Sequence, residues 1–488
     1  MSTYIYNGGV IQPTYSADGK KITGLVNPDG TSVEIGVINP QSNITSPTIP
    51  SISNYSDYSP TNPPRARGIS LGGFPRQKTL FLPQNGNYTT ANTNATVTLD
   101  YSDPFVGDTF QASNAGAGGA ATNGQSLSMN LTASGSIAHV IPTVANAVAH
   151  DLTGHNVYIT FKVISGGGFN MSGMAVRLFD TTTPNINGAN YLNKTMTYPD
   201  YNRVRNGVWE TFAFPIEAFG AVGTGANLAA ITHASVRVAT QSGAAQVLIG
   251  RVFVAPKTLS RGAVTIGFDD CRADTWVYGA RYMNQRGMPG VIYPGAIANI
   301  VKGNVDQFQM NIGQLKKLQD YYGWQIAAQA WDSENPNDTL EQFSAKMSAL
   351  TAFWDANGWD GEADGSYFSN VSLGSTRDAV FRKAFRTMRS YQIYSATEMA
   401  GYNGECVPIA DPYNLHGFGI NLATMTFADI QGVIDRAIAR KTHVNLVFHE
   451  SYTGLFDQII NYIDANRATL DVVTPDQLIF KARAGALL

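Results

Sequence analysis

The densest concentration of chemically able side chains is VTIGFDDCRADTW, where Asp269 and Asp270 stand side by side after a run of β-branched and aromatic residues. Successive side chains on a strand point to opposite faces, but at a strand end both carboxylates can turn into one cleft. Carboxylates held close perturb each other, so one suits a base and the other a cation ligand. A helix-capping role needs one acid and leaves the other unexplained. A second stretch, VNLVFHES, ends an apolar run with His449, followed by Glu450. An imidazole titrates near neutral pH and can protonate a leaving group. The plainer reading is a satisfied histidine at a strand end.

A third stretch, WQIAAQAWDSENP, offers Gln329, Trp331, Asp332, Ser333 and Glu334. Acids on neighbouring strand ends would either hold Mg2+ or Ca2+ through oxygen or work as acid and base, or acid and nucleophile, across a glycosidic bond. Alternatively, Asp332 and Glu334 are solvated loop acids. Trp331 suits stacking on a sugar ring and equally suits a core. Tyr293 in GVIYPG and His416 in NLHGFGIN complete the candidates for substrate contact.

These groups lie in residues 257–488, where strand-like and helix-like periods alternate. AVTIGFDD, PGVIYPG, WQIAAQA, HVNLVFHES and TLDVVTP read as strands, and NIGQLKKLQDYYG, TLEQFSAKMSALTAFWDANG and ATMTFADIQGVIDRAIARK as helices. STRDAVFRKAFRTMRSYQ also reads as a helix, with Ser375 or Thr376 as its cap. Such alternation predicts a parallel sheet with crossover helices, open or closed as a barrel, whose chemistry gathers at the C-terminal strand ends.

Residues 85–256 differ: ATVTLDYS, HNVYITFKVI, MAVRLFD, WETFAFPI, HASVRVAT and AQVLIGRVFVAP are turn-separated β runs, predicting an antiparallel β-sandwich. The last of these runs loosely resemble jelly-roll carbohydrate-binding modules; a structural spacer is the competing reading. Residues 1–84 are rich in Pro, Ser, Asn and Thr and lack a core of their own, so they are expected to be an arm ordered by partners or copies, or a flexible linker. Within it, ITGLVNPDGTSVEIG predicts a hairpin.

The 488-residue chain carries a net charge of −3, which gives no footprint for nucleic acid or an anionic membrane. Its apolar runs are of strand length, far short of a membrane span. Two cysteines, Cys271 and Cys406, make no disulfide framework; buried thiols are expected, with one bridge or a reactive thiol as alternatives. The first residues lack a secretory signal, so extracellular work would require another route, such as release with a virus particle.

With these motifs in hand, residues 257–488 resemble the polysaccharide deacetylases of NodB type (carbohydrate esterase family 4), especially those on phage tail proteins. TIGFDD is similar to the first motif, QLKKLQDYYGWQIAAQA to the second-motif region, SYFSNVSLGSTRDAVFRKAFRTMRSYQIYSA to the third, ADPYNLHGFGIN to the fourth and VNLVFHES to the last. The resemblance implies a distorted (β/α) barrel, with Asp269 as general base, Asp270 as ligand of a divalent metal and His449 as general acid. The family's two metal histidines, spaced H-x-x-x-H, fall on Gln329 and Ser333, and none of the seven histidines form such a pair. Amide and hydroxyl oxygens are weak zinc ligands, so the expected metal site is incomplete. Cys271 replaces the usual glycine, and SYFSNVSLGS lacks an Arg-Pro-Tyr-like element.

Three functions follow as expectations. The first is a deacetylase or esterase acting on bacterial surface polysaccharide, capsular or O-antigen, with a modified or absent metal. The second is a glycoside hydrolase with carboxylates on the same barrel, and the third a binding-only tail protein. The resemblance also implies a tailspike-type homotrimer in the virion, attached to other phage tail proteins.

Overall fold

The computed structural model describes residues 149–165, 173–181, 190–196, 209–240, 243–294, 309–329, 338–359, 395–410, 415–421, 424–451 and 453–484, isolated residues between them, and the backbone of the strands named below. Contacts divide the chain into Met1–Ser53 and Asn54–Leu488.

The first unit carries β1 (Tyr4–Tyr6), β2 (Gly9–Tyr15), β3 (Ile22–Val26) and β4 (Ser32–Val33), paired in sequence order as an antiparallel meander. The predicted hairpin pairs β3 with β4, with Val26 opposite Ser32. β1 and β2 were not part of the expected arm, because so little of the segment's apolar content recurs at a fixed period.

In the second unit, two antiparallel sheets stack as a sandwich. One has β13 (Trp209–Pro215), β10 (His155–Ser165), β16 (Ala245–Pro256), β8 (Ser126–Leu131) and β7 (Ala95–Asp100) in that order. The other has β14 (Gly220–Val222), β12 (Tyr191–Thr195), β11 (Ala175–Phe179), β15 (His233–Thr240), β9 (Gly135–Pro142) and β6 (Tyr88–Thr90). All six predicted runs are strands. Alternate residues Val157, Ile159, Phe161 and Val163 face a core shared with Phe212, Phe214, Val176, Leu178, Val236 and Val238. β5 (Lys78–Phe81) pairs with β16, so the sandwich begins before residue 85.

The third layer is a parallel sheet that curls until its ends meet. Its order is β19 (Gln325–Ile326), β18 (Val291–Tyr293), β17 (Gly262–Asp269), β24 (His443–Phe448), β23 (Leu415–Ile420), β22 (Thr387–Ile393), β21 (Glu362–Asp364) and β20 (Ala328–Gln329), with β25 (Leu470–Val472) also beside β17. β19 and β20 are one run of chain: Gln325 and Ile326 pair with β18, and Ala328 and Gln329 with β21. The sheet therefore closes through that run, as a barrel.

Helices pack outside it. α1 (Ala280–Asn284) follows a wide i→i+5 turn at Thr275–Gly279. α2 (Ile312–Tyr322) starts at an Asn311–Gln314 capping box and stops at left-handed Gly323. α3 (Leu340–Ala356) and α4 (Ala396–Gly401) precede α5 (Phe427–Arg440), α6 (Gly454–Ala465) and α7 (Pro475–Ala484). Ile266, Phe268, Leu446, Phe448, Phe418 and Ile420 face these helices in one large core. None of the described helices is long and apolar enough to cross a membrane.

One segment corrects the sequence reading. Within the expected helix over STRDAVFRKAFRTMRSYQ, the residues from Thr387 form strand β22, paired in parallel with β21 and β23. No Gly or Pro precedes Thr387 within this stretch, so the sequence carries no punctuation at the start of the strand.

The sandwich docks on the barrel at the N-terminal ends of its strands. Tyr158 Oη donates to Pro408 O at 2.6 Å, Asn156 Nδ2 to Val407 O at 3.3 Å, and Lys257 Nζ to the carbonyl of Arg440 at 2.8 Å. Residues 407–408 precede β23 and Arg440 ends the helix before β24. The C-terminal strand ends therefore open away from this junction.

Candidate functional site

At those C-terminal ends, β17 delivers Asp269 inward, sharing its side with Thr265 and Gly267, while Ile266 and Phe268 face the helices. Asp269 is 2% exposed, and Arg389 Nη2 donates to its Oδ1 at 2.8 Å from a side chain 1% exposed. Two buried charges so paired replace lost hydration with a charge-assisted hydrogen bond; removing either takes from the other a buried counter-charge. Arg389 reaches this point from β22 through the barrel interior. Its stem lies against Gly417, where a Cβ would fall 2.4 Å from Arg389 Cδ. Its guanidinium lies over the Tyr293 ring, 4.3 Å from the centroid.

His449 follows β24 and is half-exposed, with Nε2 at 3.7 Å from Asp269 Oδ2 and 4.0 Å from Asp270 Oδ2. Strand alternation alone would send Asp270 away from the cleft. Instead Asp270 takes a left-handed backbone (φ 65°), which swings its carboxylate back toward the imidazole. Aspartate tolerates this region better than most residues. Cys271 follows at φ 55°, with no such tolerance, and is held by Met310 N donating to Cys271 O at 2.7 Å. Strain of this kind costs about 1–3 kcal/mol per residue and persists where surroundings over-determine it. Burial pushes the Cys271 thiol up to about 12, so it is a core thiol rather than a nucleophile. Cys406 is likewise a buried thiol.

The predicted residues divide accordingly. Asp269, Asp270 and His449 come together, and Glu450 sits beside them with Oε1 at 4.0 Å from Arg272 Nη2. Tyr293 belongs to the same neighbourhood but is buried beneath Arg389, so it supports the arginine rather than presenting a face to substrate. His416 is not brought to the cluster. It shares its side of β23 with Phe418 and Ile420, facing the helices, where Nδ1 meets Glu405 Oε1 at 2.6 Å and its ring packs on Tyr402. A buried carboxylate satisfies it there. The backbone of Gln329 pairs with Asp364 at the closing run, while Trp331, Asp332, Ser333 and Glu334 lie outside the described residues.

Two contributions escaped the sequence reading. Arg389 was hidden inside the presumed helix, and the irregular register of β22 after Arg389 leaves no clean strand alternation in the sequence to expose it. Asp274, which the sequence did not single out, precedes the wide turn at Thr275–Gly279, and its side chain makes no cap bond there. Its Oδ2 accepts from Ser451 N at 3.2 Å instead.

As to metal, no group of three or more His, Cys, Asp or Glu side chains among the described residues is placed to hold an ion. Asp270 alone does not make a site.

A barrel with a carboxylate–imidazole pair at its C-terminal mouth, joined to a β-sandwich, is the class that the fold and site define. No family model and no curated protein matches the chain. Among solved structures, a carbohydrate-binding module of the β-sandwich superfamily is 12% identical with a TM-score of 0.23; the match covers 35% of this chain and 58% of that one. The family 11 carbohydrate-binding module of a Clostridium thermocellum cellulosomal cellulase is 12% identical with a TM-score of 0.24, covering 37% of this chain and 95% of that one. An exo-β-agarase is 11% identical with a TM-score of 0.24, covering 38% and 26%. Scores this low define neither fold nor function for this chain.

Proposed function

We propose that the chain is a polysaccharide-acting hydrolase that removes acyl groups, with Asp269 as general base and His449 as general acid. The observation that carries this reading is the facing of a half-exposed imidazole and a buried, arginine-held carboxylate at 3.7 Å. In the reaction, Asp269 Oδ2 takes a proton from water and the oxygen attacks the acyl carbon. The bond to the sugar oxygen or nitrogen breaks as His449 protonates the leaving group, releasing carboxylic acid and free sugar. Arg389 holds Asp269 through the other oxygen, so the base keeps one orientation through the cycle. A glycosidase needs two carboxyl groups flanking the bond, about 5–9.5 Å apart. The facing of His449 and Asp269 is what favours the acyl-hydrolysis reading.

In the same reading the chain is a phage tailspike-type homotrimer acting on bacterial surface polysaccharide, with the sandwich holding the barrel's mouth outward. The docking of the sandwich at the opposite end of the barrel supports that arrangement. Product analysis on acetylated capsular polysaccharide tests the proposal. Released acetate at constant polymer length supports it; new reducing ends with falling viscosity would replace it with backbone cleavage, and binding without either product would leave a receptor-binding protein.

A further inference from the structure

Asp274 joins the two strand ends that carry the reacting groups. It lies at the start of the helical segment after β17, five residues beyond Asp269, and its carboxylate is shared between two partners. Oδ1 accepts from Arg272 Nε at 3.0 Å; Oδ2 accepts from Ser451 N at 3.2 Å, two residues beyond His449. Ser451 Oγ in turn donates to Asp274 O at 3.4 Å. Ser451 is wholly buried, and it fits because Gly279 has no side chain: a Cβ there would stand 2.8 Å from both Cβ and Oγ of Ser451. Arg272 extends the bridge toward Glu450, with Nη2 4.0 Å from Oε1. His449 itself is half-exposed, so packing alone does not fix its distance from the carboxylates.

We propose that Asp274 is a positioning residue that sets the separation between His449 and the Asp269–Asp270 turn; its catalytic meaning rests on the acid–base reading above. The clamp works through backbone: one carboxylate ties the chain leaving β24 to the chain leaving β17, and a side-chain-free Gly279 gives Ser451 its seat. A helix cap would instead bond within its own first turn, which Asp274 does not do.

The test uses the full chain with 13C-labelled histidine, the His449 signal being assigned from His449→Gln. In Asp274→Ala the Ser451 amide should exchange about tenfold faster, the factor for one lost hydrogen bond. The His449 ring order parameter should fall below about 0.6, the flexible range. Unchanged protection at Leu446, inside β24, certifies the fold. Asp274→Asn keeps an oxygen for Ser451 N and should restore most of both readouts, and it serves if the alanine variant does not fold. A His449 ring as ordered in Asp274→Ala as in the wild type, or an unchanged Ser451 amide, overturns the proposal. If the wild type releases acetate, kcat should fall about tenfold in Asp274→Ala at constant KM. If it releases none, the hydrolase reading fails while the order parameter still decides the clamp.

Discussion

Consider replacing Arg389 by Met in the barrel interior. The stem keeps its packing against Gly417, and the guanidinium over Tyr293 is lost along with its bond to Asp269. At 2.8 Å, with an effective dielectric of about 20, the gross attraction is roughly 6 kcal/mol. Much of this offsets the desolvation of both ions, so the pair itself adds far less than that. Truncating one partner is different, because a buried carboxylate then has lost its counter-charge; the expected cost is about 3–5 kcal/mol. Asp269→Asn should destabilise in the same direction by removing the arginine's counter-charge. The double variant Arg389→Met/Asp269→Asn removes both charges and should recover about 2–3 kcal/mol relative to the sum of the singles. Urea unfolding reads this through the buried barrel tryptophans Trp324, Trp354 and Trp359. Singles that each cost under about 0.5 kcal/mol, or strict additivity, would refute the idea that this ion pair is a desolvated unit.

Two further outcomes follow from the barrel interior. Burial pushes the His443 imidazole down from 6.5 to about 4, so the folded barrel holds it neutral. Between those values the unfolded chain binds a proton that the folded chain does not. The contribution is therefore whole above about pH 6.5 and falls by about 3 kcal/mol as pH drops to 4. His443→Gln should flatten that part of the stability–pH curve, and an unchanged slope from urea melts across the window would contradict the assignment. Gly417→Ala forces a methyl to within 2.4 Å of Arg389 Cδ and should cost about 1–3 kcal/mol, with loss of activity as the guanidinium moves off Asp269; full activity would contradict it.

How far the sequence spoke depended on what each signal required. Asp269 and His449 were legible because each ends an apolar strand run, where polar groups stand out and where a parallel barrel collects chemistry. The helices that begin at Asn311, Thr339 and Thr426 were legible through caps and period alone. Arg389 was not, since TMRSYQI has no boundary residue and its burial depends on a carboxylate 120 positions away. His416, expected at a strand end as a candidate for substrate contact, instead lies within β23, where one residue of register decides between cleft and helix layer. Asp274 acts through a backbone amide 177 positions later, a contact with no trace in local pattern.

The central claim is that Asp269 and His449 act in one chemical step. Steady-state kinetics of Asp269→Asn, His449→Gln and their double variant on acetylated polysaccharide test it most directly. Each single should lower kcat by about 10^2–10^4, and the double by no more than the worse single, because the two serve one transition state. Losses that multiply in the double variant, or a single variant with wild-type turnover, would contradict the account.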